Sequence, residues 1–171
     1  QTYEQVFSYI DQNDYISVAT CYCRHEAKLL DENDDCGAPD EVCMQFGIGA
    51  RYSVERGIAR RLTKKEAEEI LRQSAAAGLI HCTTNVQNIF FICNCCSCHC
   101  MAIQGALLDS KPRSVLSSGY IPVTSPDQCT ACESCIEVCP ATALSMSSDD
   151  LIELEVDRCF GCGLCANQCE D

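Results

Sequence analysis

The chain has 171 residues, eighteen cysteines and a formal net charge of -13. Its length suits one domain or two small ones. The acidic charge argues against nucleic-acid binding, and the lack of an eighteen-residue apolar run argues against a membrane span. Cysteine makes up about a tenth of the sequence, and no apolar signal segment stands out, so we expect metal binding in a reducing compartment, the cytoplasm, rather than disulfides.

The first cysteines follow a predicted helix and strand. Apolar positions recur at helical spacing from Thr2 to Ile10, which predicts a short amphipathic helix. Residues 15–20 (YISVAT) are rich in β-branched side chains, which predicts a strand that ends near Cys21 and Cys23. The next two residues, Arg24 and His25, could donate hydrogen bonds to sulfur. For His25 a plain surface position is the more common outcome, because isolated histidines rarely have a role.

Loops occupy the following stretch. Residues 31–35 (DENDD) predict a solvated acidic turn, and Cys36 and Cys43 enclose a turn that contains glycine and proline. The segment Gly47-Ile48-Gly49 lacks the third glycine of a dinucleotide-binding loop, so we do not predict a nucleotide there.

A helix and a hairpin are predicted next. Thr63 and Glu66 have the spacing of a capping box, which predicts a helix from residue 64 to about Ala77, with Gly78 placed to stop it. Residues 79–83 and 89–92 then predict the two strands of a hairpin.

The hairpin leads into a loop with five cysteines in eight residues, Cys93–Cys100. Within it, Cys93 and Cys96 have the spacing of a metal chelate, as do Cys95 and Cys98. Two more ligands are needed, and Cys23 and Cys43 are the candidates. We therefore predict a 4Fe–4S cluster on Cys23, Cys43, Cys93 and Cys96, a third cluster beside the two that the C-terminal cysteines described below indicate. A fourth or unusual multinuclear cluster, structural zinc, or a redox disulfide between Cys95 and Cys96 remain alternatives.

A predicted helix at residues 101–108 and a linker at 110–119 lead to the final segment. Strands are predicted at 120–124 and 151–156, one ahead of each of two cysteine loops, and at 143–146 after the first loop.

These two loops contain one cysteine pattern twice, Cys-x2-Cys-x2-Cys-x3-Cys, offset by thirty residues. The first copy is Cys129, Cys132, Cys135 and Cys139, followed by Pro140; the second is Cys159, Cys162, Cys165 and Cys169. Zinc sites use separated Cys-x2-Cys pairs, and disulfide frameworks suit small secreted domains, so both fit this pattern poorly.

At these residues the chain resembles the bacterial-type ferredoxin with two 4Fe–4S clusters. The resemblance implies that each cluster takes three cysteines from one motif and the fourth from the other. One ligand set would be Cys129, Cys132, Cys135 and Cys169, and the other would be Cys159, Cys162, Cys165 and Cys139. Upstream, Cys21-x-Cys23-Arg24, Pro39-x3-Cys43 and residues 92–96 (ICNCC) resemble a cysteine cassette that precedes such modules in anaerobic electron-transfer proteins.

Both ends of the sequence depart from a complete ferredoxin. Glu170 stands where the first motif has a proline, no second returning strand follows, and the chain starts at Gln1 without an initiator methionine. We therefore expect a fragment of a longer protein.

Together these patterns predict an α+β protein in three parts. Residues 1–109 form a small α/β cysteine-rich module, residues 110–119 a linker, and residues 120–171 a ferredoxin-like dicluster module with a pseudo-twofold repeat. The expected function is electron transfer within a larger anaerobic redox complex, beside a flavin- or metal-containing subunit with a basic docking face. A reductase that uses an unusual N-terminal cluster and an iron–sulfur sensor are the alternatives.

Overall fold

The structure, a computed structural model, describes residues 3–30 and 36–169. Within these ranges helices and strands are mixed, in line with the expected α+β class. The predicted acidic turn at residues 31–35, together with Glu170 and Asp171, lies outside the described residues. The chain divides into two units, one of Tyr3–Met101 and one that begins at Ala102.

A five-stranded antiparallel sheet organises the first unit. Its spatial order is β3-β1-β2-β5-β4, and neighbouring strands pair antiparallel throughout. The strands are β1 (Ile16–Thr20), β2 (Glu41–Phe46), β3 (Arg60–Leu62), β4 (Ile80–Cys82) and β5 (Phe91–Cys95). Because β1, β2 and β5 are central, strands paired on both sides hold Cys43, Cys93 and Cys95 and the cysteine-bearing segments that follow β1 and β5.

Four helices accompany this sheet. They are α1 (Tyr3–Asp11), α2 (Tyr22–Leu29), α3 (Gly47–Glu55) and α4 (Lys64–Ala76). The apolar sides of α1 and α4 pack with the sheet in one core, whose fully buried members include Val6, Leu71, Val18 and Met44. The Thr63–Glu66 capping box forms as predicted at the start of α4.

The second unit consists of short elements. After α5 (Met101–Leu107) come α6 (Pro112–Val115), α7 (Ser134–Glu137), β6 (Leu144–Met146), β7 (Ile152–Leu154) and α8 (Leu164–Gln168). Strands β6 and β7 form an antiparallel hairpin. The strand predicted at residues 120–124 was wrong: this segment is irregular, no strand among the described residues pairs with it, and Pro122 lacks a backbone donor.

The segment 110–119, predicted as a linker, is bound to the second cysteine loop. Arg113 Nη1 donates to the Cys159 carbonyl at 2.9 Å, and the Ser118 amide donates to the Phe160 carbonyl at 3.0 Å. The Ser118 hydroxyl also donates to the Gly161 carbonyl at 2.6 Å. This segment therefore helps to shape the loop that carries Cys159 and Cys162.

Each helix within the described ranges is too short or too polar to span a lipid bilayer.

Candidate metal centres

The first cysteine group surrounds a cavity in the second unit. Cys129, Cys132, Cys135 and Cys169 all line this cavity, whose volume is about 260 Å³. Burial raises the pKa of Cys135, and the neighbouring thiols of Cys132, Cys169 and Cys129 raise it further. Cys165 also lines this cavity. Thiols gathered around one cavity repel one another when ionised, which favours a positively charged core between them.

The second cysteine group brings together Cys139, Cys159, Cys162 and Cys165. Burial raises the pKa of Cys165 to about 11, and the charges of Cys162 and Cys139 add to the rise. Burial likewise raises the pKa of Cys162, with contributions from Cys139 and Cys159. Cys139 follows α7 and Cys169 follows α8, so each helix carries the last cysteine of its motif into the group formed by the other loop.

Both loops depend on left-handed backbone at matching positions. Ala131 and Glu133 have φ of 54° and 62°, and Gly161 and Gly163, thirty residues later, have φ of 69° and 84°. Left-handed residues reverse the chain locally, which lets three cysteines at i, i+3 and i+6 face one centre. Glycine adopts this conformation without strain, whereas the first loop uses an alanine and a glutamate.

Hydrogen-bond donors lie beside several of these sulfurs. The Ala143 amide donates to Cys139 Sγ at 3.3 Å. Two hydrogen bonds lower the pKa of Cys132: the larger effect comes from the Ser134 hydroxyl and the smaller from the Ser134 amide. Such donors stabilise negative charge on sulfur and so tune a metal centre.

The first unit contains a group of seven cysteines, which we call the seven-cysteine group: Cys21, Cys23, Cys43, Cys82, Cys93, Cys95 and Cys100. Hydrogen bonds link Cys93 to Cys43 and to Cys95. Cys95 also forms hydrogen bonds with Cys100 and Cys82. The bonds from Cys43 and Cys95 lower the pKa of Cys93 to about 4, whereas those two thiols have raised pKa values because they act as the donors. Cys23 lies within the electrostatic influence of Cys100, Cys21 and Cys93.

A second group of four residues, which we call the tetrad, consists of Cys36, Cys96, Cys98 and His99, and Cys21 of the seven-cysteine group packs against it. The four ligand atoms of the tetrad all lie within 4.8 Å of one another. Arg24, which is only 3% exposed, donates from Nη1 to Cys96 Sγ at 3.6 Å. Burial opposes ionisation of Cys96, but hydrogen bonds from Arg24 and His99 lower its pKa to about 6. The other side chain predicted to donate to sulfur, His25, is exposed.

The cysteines predicted to hold a third cluster are divided between these two sites. Cys23, Cys43 and Cys93 belong to the seven-cysteine group, but Cys96 belongs to the tetrad. The local reason is that β5 ends at Cys95: Cys93 and Cys95 are two residues apart on one strand, whereas Cys96 lies in the turn beyond it. The sequence-based ligand set did not include Cys36 or His99: Cys36 lies sixty positions from Cys96, whereas His99 does have chelate spacing with Cys96, a signal that could have identified it.

Residues 121–170 match the family model of the 4Fe-4S dicluster domain. The match supports two 4Fe–4S clusters in this segment, where the two interlocked cysteine groups lie. We refer to it below as the dicluster domain; the family model covers no residue of the first unit.

Several curated proteins are similar to parts of the chain. Hydrogenase-4 component A of Escherichia coli K12 is 39% identical over 82 residues, which cover 45% of this chain and 38% of the relative. Pyruvate synthase subunit PorD of Methanocaldococcus jannaschii is 31% identical over 50 residues, covering 29% of this chain and 58% of the relative. A putative iron-sulfur subunit of dimethyl sulfoxide reductase from Halobacterium salinarum is 37% identical over 46 residues, covering 26% of this chain and 18% of the relative.

The chain spans less than two thirds of the length of each of these relatives. No solved structure gives a significant match to it.

Proposed function

We propose that this chain transfers electrons through iron–sulfur clusters as a subunit or domain of a larger anaerobic redox complex. The observation that carries the proposal is the interlocking of eight cysteines into two groups of four, each completed by a cysteine from the other loop. When bound, a 4Fe–4S cluster accepts or releases one electron that is delocalised over its irons.

We assign Cys129, Cys132, Cys135 and Cys169 to one cluster and Cys139, Cys159, Cys162 and Cys165 to the other. Four thiolates bind every iron corner of such a cluster, which leaves no coordination position for a substrate. The dicluster domain therefore suits electron transfer better than catalysis. The Ala143 amide at Cys139 and Ser134 at Cys132 would stabilise the more reduced, more negative state.

A third 4Fe–4S cluster in the seven-cysteine group would extend the electron path into the first unit. We assign Cys23, Cys43, Cys93 and Cys100 to it. Cys96, the fourth ligand expected from the sequence, belongs to the tetrad. This choice rests on the four thiols sharing one electrostatic neighbourhood: the charges of Cys100 and Cys93 act on Cys23, and the charge of Cys23 acts on Cys43. Cys100 is also only 7% exposed, which suits a ligand protected from solvent.

The relatives are named as components or subunits of redox enzymes, and this supports a similar setting here. The net charge of -13 favours a partner subunit, flavin- or metal-containing, with a basic docking face. A cysteine content this high favours a reducing compartment, which we take to be the cytoplasm.

Anaerobic metal analysis of the whole chain tests this function. We expect about twelve irons and about twelve acid-labile sulfides per chain, with cubane-type electron paramagnetic resonance signals after reduction with dithionite. About eight irons and eight sulfides per chain would contradict the third cluster and leave the dicluster assignment intact. Zinc in the dicluster groups, or cystine bridges between their cysteines, would contradict the proposed function itself.

The interlocked assignment predicts which signal each substitution affects. Cys139→Ser should perturb the cluster held by Cys159, Cys162 and Cys165, although Cys139 lies in the other motif. Cys169→Ser, the matched variant, should perturb the remaining cluster instead. Spectroscopy that resolves the two clusters reports the result, and the reverse pairing of variants and signals would contradict our ligand sets.

The seven-cysteine group also supports a second candidate function. It holds three thiols more than one 4Fe–4S cluster requires, and one of these, the buried Cys95, forms hydrogen bonds with Cys100, Cys82 and Cys93. A reductase that passes electrons from the dicluster domain to a disulfide substrate would use such thiols. Steady turnover of a small disulfide by the reduced whole chain, lost in Cys95→Ser, would favour this function over simple electron transfer.

A further inference from the structure

The tetrad differs from the other cysteine groups in its compactness. Cys36 precedes β2, and Cys96, Cys98 and His99 lie in the turn after β5. Their four ligand atoms fall within 4.8 Å of one another, although sixty residues separate Cys36 from Cys96. None of the eight cysteines of the dicluster domain, all of which are described, belongs to so tight a set.

This size fits a single ion rather than a cluster. A tetrahedral metal with metal–sulfur bonds of about 2.3 Å places neighbouring ligand atoms about 3.8 Å apart. Cys96 Sγ lies 3.7 Å from His99 Nδ1, close to that value. In a 4Fe–4S cluster each sulfur ligand binds its own iron on the outside of the cube, so the ligand atoms must stand further apart.

The surroundings of the tetrad suit a site with negative charge. The buried Arg24 donates to Cys96 Sγ at 3.6 Å and to the Pro39 carbonyl at 2.6 Å, and it has an Nε without a hydrogen-bond partner. Within the described part of the chain, no carboxylate forms a salt bridge with it. A buried guanidinium requires a compensating anion, and thiolates are the groups that face it.

The charges balance for one divalent ion. Three thiolates, one neutral imidazole and a divalent cation have a net charge of about -1, which a single guanidinium neutralises. Three sulfurs and one nitrogen in tetrahedral arrangement form a donor set typical of structural zinc.

We propose that Cys36, Cys96, Cys98 and His99 bind one Zn²⁺ ion at a site separate from the iron–sulfur clusters. With four protein ligands the ion has no open position, so its role is structural and it carries no electrons. It ties the segment before β2 to the turn after β5, beside the apolar residues Val42 and Leu79. It thereby fixes the turn that leads to Cys100 of the seven-cysteine group.

Zinc analysis of the anaerobically purified whole chain tests the site. We expect one zinc per chain that survives dialysis against a moderate chelator. X-ray absorption at the zinc edge should show three sulfurs at about 2.3 Å and one nitrogen at about 2.0–2.1 Å. Absence of zinc, its rapid loss to the chelator, or a zinc with four sulfurs in the unaltered chain would overturn the proposal.

Substitutions identify the ligands independently of any activity. Cys98→Ser should remove zinc while the iron of the two dicluster groups stays bound. His99→Cys should retain zinc and change its spectrum to four sulfurs, which keeps the test decisive if Cys98→Ser folds poorly. Cys82→Ser, a half-buried cysteine outside the tetrad, should retain zinc with the original spectrum. Loss of iron rather than zinc in Cys98→Ser, or loss of zinc in Cys82→Ser, would show that the tetrad is not this site.

Discussion

Gly161 occupies the most crowded point of the second cysteine loop. Its φ is +69°, and a Cβ placed on it would collide with the Tyr120 carbonyl oxygen and the Ser118 hydroxyl. Gly163 has a similar φ of +84°, but a Cβ there would meet no atom within 4 Å. The two positions therefore separate backbone strain from steric collision.

We predict that Gly161→Ala is much more damaging than Gly163→Ala. Gly163→Ala should cost only the left-handed strain of about 1–2 kcal/mol, whereas Gly161→Ala must also displace the Ser118–Tyr120 segment. Denaturant unfolding under anaerobic conditions and iron content measure the effect. Equal losses in the two variants would mean that the contact with Ser118 and Tyr120 does not constrain the loop.

At the scale of elements, Thr63 offers a test in the first unit, at the start of α4. The Glu66 amide donates to Thr63 Oγ1 at 3.2 Å, and the Thr63 amide donates to Glu66 Oε2 at 2.7 Å. We predict that Thr63→Ala lowers the free energy of unfolding by about 1 kcal/mol, because one amide of the first turn loses its acceptor. Thr63→Ser keeps the acceptor and should stay near the wild-type value in the same anaerobic denaturation experiment.

Elements with strong local signals were predictable from the sequence. Helix α1, strand β1 and helix α4 form close to their predicted positions, and the hairpin forms with its second strand at Phe91–Cys95, later than the predicted 89–92, so that Cys93 and Cys95 lie on the strand rather than in the predicted loop. Their signals were apolar periodicity, β-branched runs and a capping box, all of which depend on neighbours in the chain.

Other elements depend on contacts that the local sequence does not reveal. Strand β2 was missed because its residues, Glu41–Phe46, gain their partners from β1 and β5, far away in sequence. Helix α3 was missed because Gly47 and Gly49 are poor helix formers. The same limit applied to the sites: the regular spacing of the dicluster cysteines, with the ferredoxin resemblance, gave a basis for proposing ligand sets, whereas the tetrad joins Cys36 to residues some sixty positions later.

At the scale of the whole molecule, the net charge of -13 should control electron-transfer rates. We predict that reduction of a small cationic complex, such as hexaammineruthenium(III), slows as salt rises, because salt screens attraction over a Debye length of about 10 Å at 0.1 M. Ferricyanide, an anion, should show the opposite trend. Stopped-flow kinetics with the dithionite-reduced chain measure both, and an absent salt effect would argue against electrostatic steering by a basic partner.

The two cysteine groups of the dicluster domain also differ in how far they are sheltered. Cys129, Cys132 and Cys169 are exposed, whereas Cys159 is buried and the other cysteines of its group are half-buried. Dioxygen should therefore reach the cluster of the first group sooner, and we predict a two-phase bleaching of visible absorbance when the protein is opened to air. The same accessibility favours that cluster, over the more sheltered one, for exchanging electrons with an external partner, so the cluster that air damages first is also the one best placed for that exchange.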